Sequence, residues 1–208
     1  MDPYVCSKFE IPDTLYRVDY STSRTAFSST EGFSAADTTK IYAANEMTEF
    51  KQAIVNQFTW SCRADLPFIS LFSDREHAEN WGRLEPWRGH QSPRGDWSLC
   101  VIDTTVLKGT GRFFKLNDLI EELSLTIPNP AVQHIRGAFL CLHRIPAEAI
   151  VETRNPEEVE KDRQNRREQR YWEESDSGDY LAEYSGSERE AMQENYNTIF
   201  EKNIENNW

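Results

Sequence analysis

The chain has 208 residues, 28% charged and 12% aromatic, with a formal net charge of -12 and a mean hydropathy of -0.72. That length suits one compact domain plus an appendage, and the aromatic share argues against disorder throughout. The acidity disfavours nucleic acid and anionic membranes as partners, because without a Lys/Arg face no counterions are released from a phosphate backbone, and no stretch approaches the roughly 20 apolar residues of a membrane span.

Residues 1–12 read as a flexible lead-in. Met1-Asp2-Pro3-Tyr4 has neither the basic nor the apolar run of a signal peptide, so an intracellular, cytoplasmic protein is expected. Four scattered cysteines, Cys6, Cys62, Cys100 and Cys141, form no C-x-x-C pair. They read as reduced core thiols rather than disulfides or zinc ligands, and no metal site is expected.

Thr14 to Asp19 has strand character. The Ser/Thr-rich stretch after it, broken by Gly32-Phe33, reads as a long ligand-facing loop. Asn45 is positioned to cap a helix in which Met47, Phe50, Ile54 and Phe58 recur at helical spacing, through Trp60. Pro67 to Phe72 reads as a buried strand, and Ser73-Asp74-Arg75-Glu76 as a capping box that starts a helix to about Trp81. The segment from Arg83 to Asp96 carries Pro86, Gly89, Pro93 and Gly95 and reads as a loop.

Trp97 to Ile102 and Arg112 to Leu116 are strands, with Gly109-Thr110-Gly111 as a hairpin turn between them. Asn117 caps a short helix to Leu123, and a loop with Pro128 and Pro130 follows. Gly137 to His143 is a central-looking strand, and a last short strand lies near Ile150-Val151-Glu152. Strands and helices intermix without a βαβ repeat, which favours α+β over a doubly wound parallel sheet. The domain is placed at residues 13–155.

Residues 156–208 form a charged, helix-prone tail with fifteen acids against seven bases. Asn155-Pro156-Glu157-Glu158 is a helix start, and Ser187-Glu188-Arg189-Glu190 is a second capping box. Met192, Tyr196, Ile199, Phe200 and Ile204 then share one helical face. That face suits packing on the same chain, pairing with another chain or a groove on a protein partner.

The chain has no G-x-S-x-G, P-loop, H-E-x-x-H or Rossmann fingerprint. A more specific pattern is the order Leu15-Tyr16-Arg17, then Phe68-Ile69-Ser70 running into a capped helix with Ala78, then Ile145-Pro146 with Ile150. This order resembles the ADP-ribosyltransferase fold of the Arg–Ser–Glu, cholera-toxin-like type. Over the same residues, 14–151, the chain is similar to an uncharacterised domain family common in fungal proteins, on Leu15-Tyr16-Arg17-Val18, Phe68-Ile69-Ser70-Leu71-Phe72-Ser73-Asp74 and His143-Arg144-Ile145-Pro146.

The resemblance implies a split mixed sheet with short flanking helices and NAD as cofactor. Arg17 would hold the pyrophosphate by bidentate bonds, and Ser70 would hold the nicotinamide-ribose side, with Tyr16 and Gln133 beside them. The guanidinium and the hydroxyl are expected to face each other across one pocket. The pattern also wants Thr-Ser after Ser70, where Leu71-Phe72 stands, and a catalytic Glu two residues after Gln133, where Ile135 stands.

Two functions follow. The first is a non-catalytic or degenerate NAD-cleft module whose tail engages a protein partner. The second is an active mono-ADP-ribosyltransferase or NAD hydrolase whose carboxylate, needed at the oxocarbenium-like centre, is displaced to Glu121, Glu122 or Glu148, with His134 as a partial substitute. The bland readings also stand: an ion-paired Arg17 on an edge strand, a backbone-bonded Ser70, an idle His134, and Trp60, Trp81, Trp87 and Trp97 as packing.

Overall fold

Strand alternation decides how this domain divides its core. In a β-strand successive side chains point to opposite faces, so Phe68 and Ile69, Phe113 and Phe114, and Leu140 and Cys141 each fall into different apolar clusters. A computed structural model describes residues 2–84, 96–107 and 109–176. The chain divides into two units, 1–159 and 160–208.

The first unit is an α+β domain. It runs β1 (Thr14–Tyr20), β2 (Ala26–Ser28), β3 (Gly32–Ser34), α1 (Met47–Gln57), β4 (Phe68–Phe72), α2 (Arg75–Leu84) and β5 (Trp97–Asp103). Then come β6 (Phe113–Lys115), α3 (Leu116–Leu123), α4 (Asn129–Val132), β7 (Ala138–Leu142), β8 (Arg144–Ile145), β9 (Ile150–Arg154) and the start of α5 (Pro156–Asp176). The strands form a six-stranded sheet in the order β6-β7-β4-β1-β5-β9 and a three-stranded sheet in the order β2-β3-β8. All described pairings are antiparallel.

One face of the large sheet carries Leu15, Ile69, Leu71, Cys100, Ile102 and Cys141, which pack with Phe33 and Ile145 of the small sheet. On the other face, α1 and α3 bury Phe50, Ile54, Leu119 and Leu123 against Phe68, Phe114 and Leu140. Beside them α2 lays Ala78 on Val18, Phe72, Trp97 and Leu99. The small sheet depends on Gly32, at φ +85°, where an added Cβ would lie 2.1 Å from the Ile145 carbonyl oxygen. Only glycine fits there.

The structure corrects several expectations. Several residues of the expected lead-in are tied to the domain. Ile11 is a core residue, Tyr4 and Val5 pack on the α1–α3 cluster, and the Cys6 amide donates to the Phe113 carbonyl at 2.7 Å. The presumed long loop after β1 contains β2 and β3, two three-residue strands that need β8 from far along the chain.

Gly109-Thr110-Gly111 is a turn, with the Gly111 amide on the Leu107 carbonyl at 2.9 Å. It is not a hairpin, because β6 pairs with β7 at the opposite end of the sheet from β5. Asn45 lies inside a 3₁₀ turn that leads into α1, closed by Glu46 Oε2 on the Ala43 amide at 2.8 Å. The helix itself ends at Gln57 rather than Trp60. Asp74 Oδ1 receives the His77 amide at 3.0 Å, so Asp74 caps α2 in place of Ser73. Asn117 lies within α3, whose N-cap is Lys115.

The start of α5 does follow its sequence signal. Asn155 Oδ1 receives the Glu158 amide at 2.9 Å, and Glu158 returns its carboxylate to the Asn155 amide at 2.8 Å. In the second unit α5 continues to Asp176, with an Arg166–Asp162 ion pair at 2.9 Å one turn apart. The box at 187–190, the stripe from Met192 to Ile204, Trp87 and most of the proline-rich loop lie outside the described residues. No helix among the described residues is long and apolar enough to cross a membrane.

Candidate functional site

The centre of the large sheet is split. β1 pairs with β5 along its whole length, from Thr14↔Asp103 to Tyr20↔Trp97. Its pairing with β4 consists of Tyr16↔Phe72. Beyond that point the two strands part, and Arg17 sits at the opening. Its guanidinium closes the gap that the backbone leaves: Nη1 donates to the Ser70 carbonyl at 2.9 Å and Nη2 to Ser23 Oγ at 2.9 Å. The Phe33 ring centroid lies 5.9 Å from Cζ.

Arg17 is 8% exposed, and burial pushes its pKa down from the ordinary arginine value. A guanidinium stays protonated even so. Its acceptors are neutral oxygens, and no ion pair to it is found among the described residues. Its Nε is buried without a hydrogen-bond partner, as is Nη1 of Arg24. Arg24 Nη2 donates to the Gln57 carbonyl at the end of α1, at 2.9 Å.

A cleft with a volume of about 100 Å³ opens at the split. Arg17, Arg24, Ser23, Gln57, Ser70 and His134 supply its polar groups, and Phe58, Trp60, Phe72 and Trp81 its aromatic ones. No aspartate or glutamate is among the described residues that line it. An adjoining open groove, sharing Tyr20, Ser23 and Thr25, carries Asp19 and Asp96. Burial raises the Asp19 carboxyl, and the Arg17 charge offsets part of that rise.

The far wall is tied by two imidazoles. His134 Nδ1 lies 3.1 Å from His77 Nε2 on α2, and Gln133 Nε2 lies 3.2 Å from His134 Nε2. Burial, then the charge on His134, lower the His77 pKa, while Asp74 raises it. No cluster of three or more His, Cys, Asp or Glu side chains that would hold a metal is found among the described residues.

The sequence pattern of a family described as "Domain of unknown function (DUF7587)" matches residues 10–159. The chain belongs to this family. No curated protein matches the DUF7587 chain. Among solved structures it is similar to EcPltA, with 16% identity and a TM-score of 0.44 over 69% of this chain and 75% of that one.

Within this DUF7587 domain the sequence-derived candidates sort unevenly. Arg17 and Ser70 do line one cleft, but not as a facing guanidinium–hydroxyl pair. Arg17 leaves β1 on the face of Leu15, and Ser70 leaves β4 on the face of Phe68 and Phe72. The arginine therefore meets the Ser70 carbonyl, while Ser70 Oγ receives Gln57 Nε2 at 2.9 Å. His134 is 7% exposed and lines the cleft. Gln133 is exposed and touches it only through His134.

Tyr16 points away, into the cluster under α2. Glu121 and Glu122 are exposed on α3, and Glu148 is exposed in the 3₁₀ turn before β9. None of the three lines the cleft. Ile135, where the resemblance wants a Glu, packs on the α1–α3 cluster. Arg17 is on a central strand, not an edge. Of the tryptophans, Trp60 and Trp81 line the cleft and Trp97 is core.

Sequence reasoning missed Ser23, Arg24 and Gln57. Ser23 and Arg24 sit in a polar stretch with no local signal. Gln57 is the last residue of an amphipathic helix, and nothing in its spacing marks it as the partner of Ser70.

Proposed function

We propose that the cleft binds an NAD-type nucleotide through its pyrophosphate and does not cleave it, on Arg17 and Arg24 rather than on the facing Arg17–Ser70 pair expected from the sequence, which the opposite faces of the two side chains rule out. The observation that carries this reading is a buried guanidinium without a direct ion pair, beside a second arginine, in a cleft with no lining acid among the described residues. A buried cation is costly unless an anion meets it, and N–H groups left without acceptors ask for an oxygen-rich ligand. A pyrophosphate supplies both. The flat side chains of Phe58, Trp60 and Trp81 offer surfaces for a base or ring.

Cleaving the nicotinamide–ribose bond needs a carboxylate at the developing oxocarbenium centre. The three glutamates weighed for that role lie elsewhere, which is why a degenerate cleft is favoured over a transferase. The acidic segment 156–208 is assigned to a protein partner on its charge alone.

The test pairs binding with turnover. Millimolar NAD⁺ should raise the unfolding midpoint of the purified full chain, since a ligand that binds only the folded state stabilises it. The same sample should release no nicotinamide over hours. Release that disappears in Arg17→Met would establish an enzyme and overturn the reading. Failure of NAD⁺ and of its ADP-containing relatives to stabilise the protein would remove the nucleotide cleft altogether.

A further inference from the structure

We propose that the cleft prefers ADP-ribose to NAD⁺; this rests on the nucleotide reading above and specifies its ligand. Arg17 and Arg24 are two fixed cations on one lining, and each has a buried N–H without an acceptor among the described residues. They are held from different sides. Arg17 is anchored on the Ser70 carbonyl and Ser23, and Arg24 on the Gln57 carbonyl. Such positioning suits the several oxygens of one pyrophosphate better than a single charge.

NAD⁺ and ADP-ribose present the same pyrophosphate. They differ in the cationic nicotinamide ring, which ADP-ribose has lost. With the pyrophosphate held by two guanidiniums, that ring stays within about a Debye length, ~10 Å, of both. It also faces a lining without a carboxylate among the described residues. Like charges in a partly desolvated cleft repel more strongly than in water. ADP-ribose keeps every attractive contact and drops the repulsive one, and puts a neutral hydroxyl at the freed carbon.

The adjoining groove tests this internally. Asp19 and Asp96 lie there, next to the shared residues Tyr20, Ser23 and Thr25. A nicotinamide ring seated in that groove would gain an acid neighbour, and the order of affinities would then reverse.

Calorimetric titration of the full chain at matched ionic strength, with ADP-ribose, NAD⁺ and inorganic pyrophosphate, decides the matter. ADP-ribose is expected to bind at least about tenfold more tightly than NAD⁺, and Arg24→Gln to weaken ADP-ribose by about tenfold with an unchanged unfolding curve. If Arg24→Gln fails to fold, Arg17→Met takes its place. NAD⁺ binding as tightly as ADP-ribose, or more tightly, would overturn the preference and leave the nucleotide cleft standing. Binding of neither compound, nor of pyrophosphate, at millimolar concentration would overturn both. ADP-ribose binding that ignores both arginine substitutions would place the ligand elsewhere and sink the proposal.

Discussion

Arg17 Nη1 reaches the main-chain carbonyl of Ser70 at 2.9 Å, where the backbones of β1 and β4 no longer pair. A side chain thus takes over from a sheet ladder at the mouth of the cleft. Whether it is mainly a structural tie or mainly a ligand group is a question of magnitude. Charge-assisted hydrogen bonds contribute about 1.5–3 kcal/mol. Against this stands the desolvation of a cation that Asp19 offsets only through space, without a direct ion pair, which is several kcal/mol per ion. The two terms nearly cancel, so Arg17→Met is expected to stay within about 1 kcal/mol of wild type in urea unfolding. A loss above about 3 kcal/mol would mark the guanidinium as a structural tie.

Gly32→Ala is expected to destabilise by more than about 3 kcal/mol, because it joins a strained backbone at φ +85° to a Cβ 2.1 Å from the Ile145 oxygen. The small sheet should loosen first. Faster amide exchange confined to residues near Phe33 and Ile145, ahead of the large sheet, is the observation that checks it.

His77 gives a pH dependence with a definite sign. Its folded pKa lies below the ordinary 6.5, chiefly through burial and then through His134. The unfolded chain therefore takes up the proton first as pH falls. The stabilising contribution is full above about pH 6.5 and declines as pH drops below it toward the folded value. Stability measured by urea unfolding at pH 7.0 and 5.5 should fall in wild type. In His77→Gln, which keeps a polar group beside His134, it should fall by less. Equal slopes in the two proteins would exclude this source.

The cysteines divide by burial. Burial pushes the Cys141 thiol up to about 12 and raises Cys100 and Cys6 as well, but Cys6 and Cys62 are only half-buried and so within reach of a reagent. Thiolate is the reactive form. A disulfide reagent at pH 8 should therefore modify Cys6 and Cys62 in the folded protein, and Cys100 and Cys141 only after denaturation. Peptide mapping before and after adding urea reads this directly.

The strands of the large sheet were visible in the sequence, though not their order. β1, β4, β5, β7 and β9 each carry a dense apolar or β-branched run bounded by prolines, glycines or polar turns, and such runs mark themselves locally. The box that starts α5 was equally legible, because both halves of an N-cap lie within four residues.

The small sheet was not legible. Ala26–Ser28 and Gly32–Ser34 have too little apolar content to register alone, and they become strands only when Phe33 and Ile145 bury each other across more than a hundred residues. The cleft divides the same way. Its arginine was found because it sits in a recognisable strand, whereas Ser23, Arg24 and Gln57 belong to it through placement alone. Local patterning determined which segments became strands and helices, since backbone hydrogen bonding and periodic burial act over a few residues. Tertiary structure decided that β1 and β4 part after one paired position, turning a strand arginine and a strand carbonyl into the mouth of a cleft. A separation between two strands is set by the helices and sheets packed on each of them, and no short window of sequence contains that information.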